Sequence, residues 1–357
     1  MKTKASYLQA LLAALLFGAS APFSKLLLGE VDPIPLAGLL YLGSGLGSVI
    51  ILFGRRLFKR EEVAEEPLQR ADYPWLLGAV LAGGVAAPIL LMWGLARTPA
   101  STASLLLNFE AVATTVIAVW AFKEPVDRRI GSAIGLITLA AVLLSWTTGD
   151  WGVSLGAVGI IAASTLWGVD NNLTRHISGR DPLMIVAIKG LGAGSFSLVL
   201  GVGLGKPLPA WPAIGLAMLL GAVSYGVSIQ LFILAMRALG AARTSTLFAT
   251  APFIGAALSL VLLHDQPQTL YWLAFPLMAF GAALMLTERH DHLHVHVPVQ
   301  HTHRHSHPDP HHMHTHESDG GTAQLTHSHA HSHELLEHQH PHTPDADHQH
   351  SHGHPLP

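Results

Sequence analysis

The chain has 357 residues, half of them hydrophobic and only 12% charged, with a formal net charge of −3. A mean hydropathy of +0.40, reached despite a long polar tail, excludes an ordinary soluble protein of this size. The absence of cysteine excludes disulfides and thiolate metal sites, and no basic patch interleaved with aromatics points to nucleic acid as a partner.

A bilayer core about 30 Å thick needs roughly 20 apolar residues per helix. Stretches of that length recur ten times, predicting spans over 7–28, 35–53, 75–96, 100–122, 130–146, 152–174, 183–203, 211–235, 241–263 and 270–287. A buried helix of a soluble protein keeps a polar face at a 3.6-residue period. Segments such as AIGLITLAAVLLSW, residues 133–146, have none. The start, MKTK before LLAALLFGASA, has the layout of a signal peptide. Its apolar run continues to Leu28, and its end matches a later segment, so it reads as a retained first span.

Lysine and arginine other than Lys189, in the loops and at span ends, divide sixteen to three between the two sides. The positive-inside rule then predicts a multi-pass inner-membrane protein with both termini in the cytoplasm. The halves also repeat. LFGASAPFSKLL aligns with LWGVDNNLTRHI, setting Gly18 over Gly168, Ser24 over Thr174 and Lys25 over Arg175. LLLNFEAVATTVIAVWAFKEP aligns with TLFATAPFIGAALSLVLLHDQP within a one-residue slip. The expected organisation is therefore a five-helix repeat over 1–149, a second over 150–289, and a disordered cytoplasmic tail over 290–357. Five is odd, so the second repeat enters the membrane upside down, with a shared site expected at the midplane and alternating access by rocking of the halves.

Ionisable side chains at membrane depth are costly and mark candidate sites. Glu110 lies 14 residues before Glu124, about 21 Å at 1.5 Å per residue, toward the middle of the bilayer. Lys189 lies well inside the seventh span and Asn108 two residues before Glu110. One acid and one base in a central cavity could hold a zwitterion or an organic ion, or bind a proton; equally, they could form a structural pair. Asp170, Asn171 and Asn172 make the end of the sixth span polar, which predicts either a broken helix exposing backbone to substrate or termination before Arg175. Lys25 and Arg175 read as interfacial anchors. Pro22, Pro88, Pro252 and Pro276 are candidate kinks. Trp93, Trp120, Trp167, Phe109 and Tyr225 are candidates for an aromatic cavity or an interface belt. Glu124 and Asp265, at the ends of the fourth and ninth spans, suit symmetric gating or helix capping.

These features together resemble the drug/metabolite transporter superfamily of EamA type. The resemblance rests on Phe17-Gly18 and Trp167-Gly168 in the first helix of each half. It continues with Lys123-Glu124-Pro125 and His264-Asp265-Gln266-Pro267 after the fourth helices, and Gly131, Gly135 and Gly281 in the fifth. Gln266 departs from the pattern by one inserted residue. The resemblance covers residues 7–287 and implies two five-helix repeats and a small-molecule permease or exporter in the inner membrane, not an enzyme, requiring no cofactor.

The tail holds 23 of the 25 histidines. Imidazole ligates Zn, Ni, Co and Cu, and His-x-His places alternate rings on one side of an extended chain. The candidate metal ligands are His301, His303, His305, His307, His311, His312, His314, His316, His327, His329, His331 and His333. Metal buffering, a pH response near the histidine pKa and a neutral low-complexity tract are the competing readings. The expected function is secondary transport of a small organic solute across the lipid bilayer, more naturally outward. The alternative is a divalent-metal exporter whose tail collects ions, and a third is a metal sensor using the helices as an anchor.

Overall fold

The structure, a computed structural model, describes residues 2–57, 68–122, 128–147, 152–177, 180–239 and 241–286, with strand segments at 290–296, 300–306, 326–332 and 336–342. The chain divides into two units, one of Met1–Phe58 with Glu66–Glu288, the other of Lys59–Glu65 with Arg289–Pro357.

The first unit is helical because, in lipid, an apolar segment must pair its own backbone groups. Helix α1 runs over Lys2–Gly18 and resumes as Ser20–Leu27; α2 covers Pro33–Leu57. Helix α3 comprises Tyr73–Ala79, a π-helical segment Val80–Ala86, and Ala87–Leu95; α4 comprises Ala100–Leu106 and Phe109–Phe122. Helix α5 is Arg128–Ser145, α6 Leu155–Thr174 and α7 Pro182–Gly203. Helix α8 comprises Trp211–Gly221, a second π-helical segment Ala222–Val227, and Ser228–Leu239. Helix α9 comprises Ala241–Phe248 and Ala251–Leu262, and α10 is Thr269–Leu286. Among the described residues, eight helices are long and apolar enough to cross a membrane. The two outside that set are α6, which carries Asp170, Asn171 and Asn172, and α10, a shorter apolar helix. Each predicted span coincides with one of these helices. A two-stranded ribbon of β1, Trp146–Thr147, and β2, Gly152–Val153, joins α5 to α6.

The interruptions have local causes. A proline ring crowds the carbonyl four residues back and offers no N–H. Pro22 stands in that relation to Gly18, where α1 breaks, and Pro252 to Phe248, where α9 breaks. The break in α4 at Leu107–Asn108 has no proline. There the Asn108 amide donates to the Leu105 carbonyl at 3.0 Å, the local bonding by which asparagine competes with a helix ladder. Pro276 lies inside α10 without dividing it. The polar run of α6 does not break that helix either: it continues to Thr174 and closes in a 3-10 turn, Arg175–Ile177.

The helix pairings survive exchange of the two halves. α2 packs on α7, and α5 on α10. α1 packs on α8 and α9, while its counterpart α6 packs on α3 and α4. Glycines permit these approaches, as expected where helices associate by close backbone contact. A Cβ at Gly190 would lie 2.5 Å from the Gly45 nitrogen, and one at Gly194 2.5 Å from the Leu42 nitrogen. Gly18 packs on Ala251 and Gly255 of α9, and Gly168 on Ala113 and Thr114 of α4. Each repeat-matched glycine thus contacts the broken helix of the other half.

In the tail, β3 (His290–His296) pairs antiparallel with β6 (Leu336–His342), and β4 (Gln300–Ser306) with β5 (Thr326–Ser332). These segments fall where His-x-His alternation has the two-residue period of a strand. The register sets His292 opposite His340 and His303 opposite His329.

Gly45→Val should overpack the α2–α7 contact and destabilise the bundle by about 1–3 kcal/mol. Gly135→Ala meets nothing within 4 Å and should be neutral or raise stability by up to about 1 kcal/mol through helix propensity. Melting of the purified protein in detergent checks both.

Candidate functional site

The site is assembled from a freed backbone carbonyl. In the π-helical segment of α3, the Ala87 N–H bonds to the Ala82 carbonyl, one residue further back than in an α-helix. The Gly83 carbonyl thereby loses Ala87, its α-helical donor. Its π-helical donor would be residue 88, which is proline and has none. Two side chains take their place: the Tyr41 hydroxyl donates to the Gly83 carbonyl at 2.7 Å, and Trp167 Nε1 at 3.0 Å. Trp167 Nε1 also lies 3.4 Å from the Tyr41 oxygen. π-bulges concentrate at functional positions in helices.

Against Gly83 lies the carboxylate of Asp170, so close that a Cβ at residue 83 would collide with it. Lys189 Nζ reaches both Asp170 oxygens at 2.6 Å, with both side chains largely buried. The Thr174 hydroxyl donates to Asp170 Oδ1 at 2.9 Å. The sequence suggests Lys189 and Glu110 as an acid–base pair. In the structure the partner of Lys189 is Asp170, so that the pair joins α6 to α7.

Glu110 occupies the first turn of the second piece of α4, where the helix dipole favours negative charge. Its Oε1 accepts from Asn171 Nδ2 at 2.9 Å, and the same amide lies 3.1 Å from Thr114 Oγ1. Asn172 instead serves the helices, donating to the Thr114 carbonyl at 3.1 Å and the Gly168 carbonyl at 2.8 Å. Glu110, Asp170, Asn171 and Lys189 therefore form one centre. Asn108, buried and bound to its own turn, contributes the helix break.

Aromatic rings extend from this centre. Tyr41 and Tyr225 have centroids 6.1 Å apart, Tyr225 and Phe17 5.6 Å, and Phe17 and Phe248 5.2 Å. Of the aromatic candidates, Trp167 and Tyr225 belong here. Trp120 is 83% exposed, and Trp93 lies under the Arg97 guanidinium, 4.2 Å from its ring centroid. Sequence reasoning missed Tyr41, Gly83 and Thr114. The signal for Gly83 was present in Pro88 five residues on.

The residues expected at the ends of spans hold helix termini. Lys25 Nζ donates to the carbonyls of Leu95, Ala96 and Thr98 at 2.6, 3.3 and 3.0 Å. It caps the C-terminus of α3, more than the interfacial anchor expected. Asp265 Oδ2 accepts from the Ser101 N–H at 2.8 Å, capping α4. It is brought there by His264, whose φ of 51° places it in the left-handed region, at a cost of roughly 1–2 kcal/mol. Glu124 lies outside the described residues, as do His307, His311, His312, His314, His316 and His333. His301, His303, His305, His327, His329 and His331 lie on β4 and β5. Among the described residues no group of three His, Asp or Glu side chains is placed to hold a metal. A cavity of about 400 Å³ lined by Asp32, Ile34, Trp93, Arg97 and Lys206 lies at helix ends and shares no residue with the polar centre.

Repeated membrane-length helices around a buried charged centre define a polytopic membrane protein. Comparison with known proteins makes this specific: the chain belongs to the EamA-like transporter family, whose pattern matches residues 4–146 and again 154–287. It is 29% identical over 280 residues to an uncharacterized transporter of Methanothermobacter thermautotrophicus, an alignment covering 72% of this chain and 79% of that protein. A protein of known crystal structure shares the fold with a TM-score of 0.55 at 19% identity, covering 78% of this chain and 94% of the other. The chain is thus a membrane transporter.

Removing one member of a buried ion pair typically costs about 3–5 kcal/mol because the other charge is left uncompensated. Asp170→Asn and Lys189→Met should each lower the melting temperature in detergent. The double variant Asp170→Asn/Lys189→Met should recover most of the loss, which a thermal-unfolding double-mutant cycle measures directly.

Proposed function

We propose that the chain is a secondary transporter that moves a small organic solute across the inner membrane, outward, by alternating access, with both termini cytoplasmic. All ten helices then cross the bilayer, and the second five-helix repeat is inverted relative to the first. The observation that carries the proposal is the centre where Glu110, Asn171, Asp170 and Lys189 meet beside the broken α4 and the π-bulged α3. Four side chains of this polarity are unfavourable against lipid. Asn171 is nevertheless exposed while bonded to Glu110, which fits a cleft open to water on one side. The exchangeable pairing of α1–α8 with α6–α3 supports two halves able to trade roles around that centre.

The test is flux in proteoliposomes across panels of amino acids, organic ions and divalent metals. At least one organic solute should be carried by the full chain, and Glu110→Gln should reduce its flux by about tenfold or more while protein still accumulates in the membrane, the usual scale for losing a charge-assisted contact. Carriage of divalent metals alone would replace this reading with a metal exporter.

The tail is proposed as a divalent-metal binder, since paired His-x-His strands bring alternate histidine positions into register. A chain ending at Arg289 should keep solute flux and lose nearly all Zn²⁺ and Ni²⁺ binding by calorimetry. Full-length binding should weaken steeply as pH falls through about 6, where protonated imidazole ceases to coordinate.

A further inference from the structure

The charges of the centre do not balance, and the imbalance names a class of substrate. Among the described residues it contains two carboxylates, Asp170 and Glu110, and one ammonium, Lys189. Lys189 is committed: it lies 2.6 Å from each oxygen of Asp170. Thr174 adds a further donor to Asp170, leaving that carboxylate well satisfied. Glu110 has a neutral amide on Oε1, and the structure records no donor to Oε2 among the described residues. From these contacts we propose that the transported solute is an organic monocation with an apolar or aromatic body, and that Glu110 is its counter-charge.

Each other solute class meets a specific obstacle. A zwitterion such as an amino acid would need a cation for its carboxylate, and Lys189 is held by Asp170. A neutral solute would bring no charge to Glu110 and would leave its carboxyl to be neutralised by a proton, so the site's one unpaired charge would add nothing to recognition. A divalent metal would find one carboxylate and one amide, short of the several oxygen or nitrogen ligands such ions require. A monocation lacks these difficulties. Its charge neutralises Glu110, and its body meets Tyr41, Tyr225 and Phe17, whose centroids step 6.1 and 5.6 Å apart. Aromatic faces attract a cation within about 6 Å, and a large lipophilic cation loses little on leaving water. Trp167 and Tyr41 spend their polar hydrogens on the Gly83 carbonyl, so these rings bring no unpaired donor to the cation.

The inference rests on the transport reading above but is tested by equilibrium binding, which needs no flux. Full-length protein in detergent is titrated with tritiated tetraphenylphosphonium in a scintillation proximity assay. Triphenylphosphine oxide serves as the neutral competitor and phenylalanine as the zwitterionic one. Saturable binding is expected, with both competitors displacing the cation at least about tenfold less well than unlabelled tetraphenylphosphonium, the scale of one charge-assisted contact. Glu110→Gln should weaken binding by a similar factor, whereas Glu110→Asp, which keeps the charge, should stay within a few fold. The competition order in the unmodified protein stands even if Glu110→Gln fails to fold. Non-saturable binding, equal displacement by the neutral or zwitterionic compound, or undiminished binding to folded Glu110→Gln would overturn the proposal. Flux of a neutral or zwitterionic solute without cation binding would sink it while leaving the transport reading intact; cation binding without flux of any solute would sink the transport reading and leave Glu110 as a cation site alone.

Discussion

A chain inside a bilayer has no water to satisfy a broken backbone hydrogen bond, so every irregularity in a spanning helix must be answered by another protein group. That constraint organises this molecule. The π-bulge of α3 and Pro88 together release the Gly83 carbonyl, and Tyr41 and Trp167, from α2 and α6, supply the missing donors. The ends of α3 and α4 are answered in the same way, by Lys25 and Asp265. The groups that repair the backbone are also the groups that fix the helices around the centre. Three helices consequently meet at one carbonyl, and the Asp170–Lys189 pair brings in a fourth.

Close packing and polar chemistry are coupled at the same positions. Gly83 is needed not for an unusual dihedral but because the Asp170 carboxylate occupies the space of a side chain. Gly168 lets α6 approach Thr114, whose hydroxyl lies 3.1 Å from the Asn171 amide that binds Glu110. A methyl at either glycine would push apart the helices that carry the charged residues. The small-residue surface and the ionisable centre are therefore one design feature seen at two distances.

Much of this was legible in the sequence because lipid imposes strong patterns. Ten apolar runs, their proline and glycine boundaries, and the duplication of LFG against LWG follow from backbone satisfaction and helix packing, and each run has its helix. The polar positions were legible too, since Glu110, Asp170, Asn171 and Lys189 stand out in apolar runs and lie together in the structure. Their partnership was not. Whether Lys189 meets Glu110 or Asp170 depends on the rotation of α6 and α7 about their axes, which hydrophobic runs without a polar face leave unspecified. The π-bulges were invisible for a related reason: a one-residue shift in the hydrogen-bond ladder changes neither length nor hydropathy, and only Pro88 hinted at the first. The histidine-rich tail lacks the apolar alternation by which strands are usually found, although its strand segments share the period of two.

The exchange relating the two halves also relates their ends, and here the side chains differ. Lys25 and Asp265 tie α1, α3, α4 and the connection after α9 at one end, through bonds to backbone at helix termini. Their counterparts in the repeat are Arg175 and Glu124. Arg175 begins the turn that closes α6, and its guanidinium presents its donors in a planar fork where Lys25 presents a compact ammonium. Asp265 is followed by Gln266 and Pro267, whereas Glu124 is followed directly by Pro125, so the sequence after the two acids differs by one residue. The two halves of this transporter therefore match in helix packing and differ in the side chains at their ends, and that divergence falls at positions the repeat itself pairs.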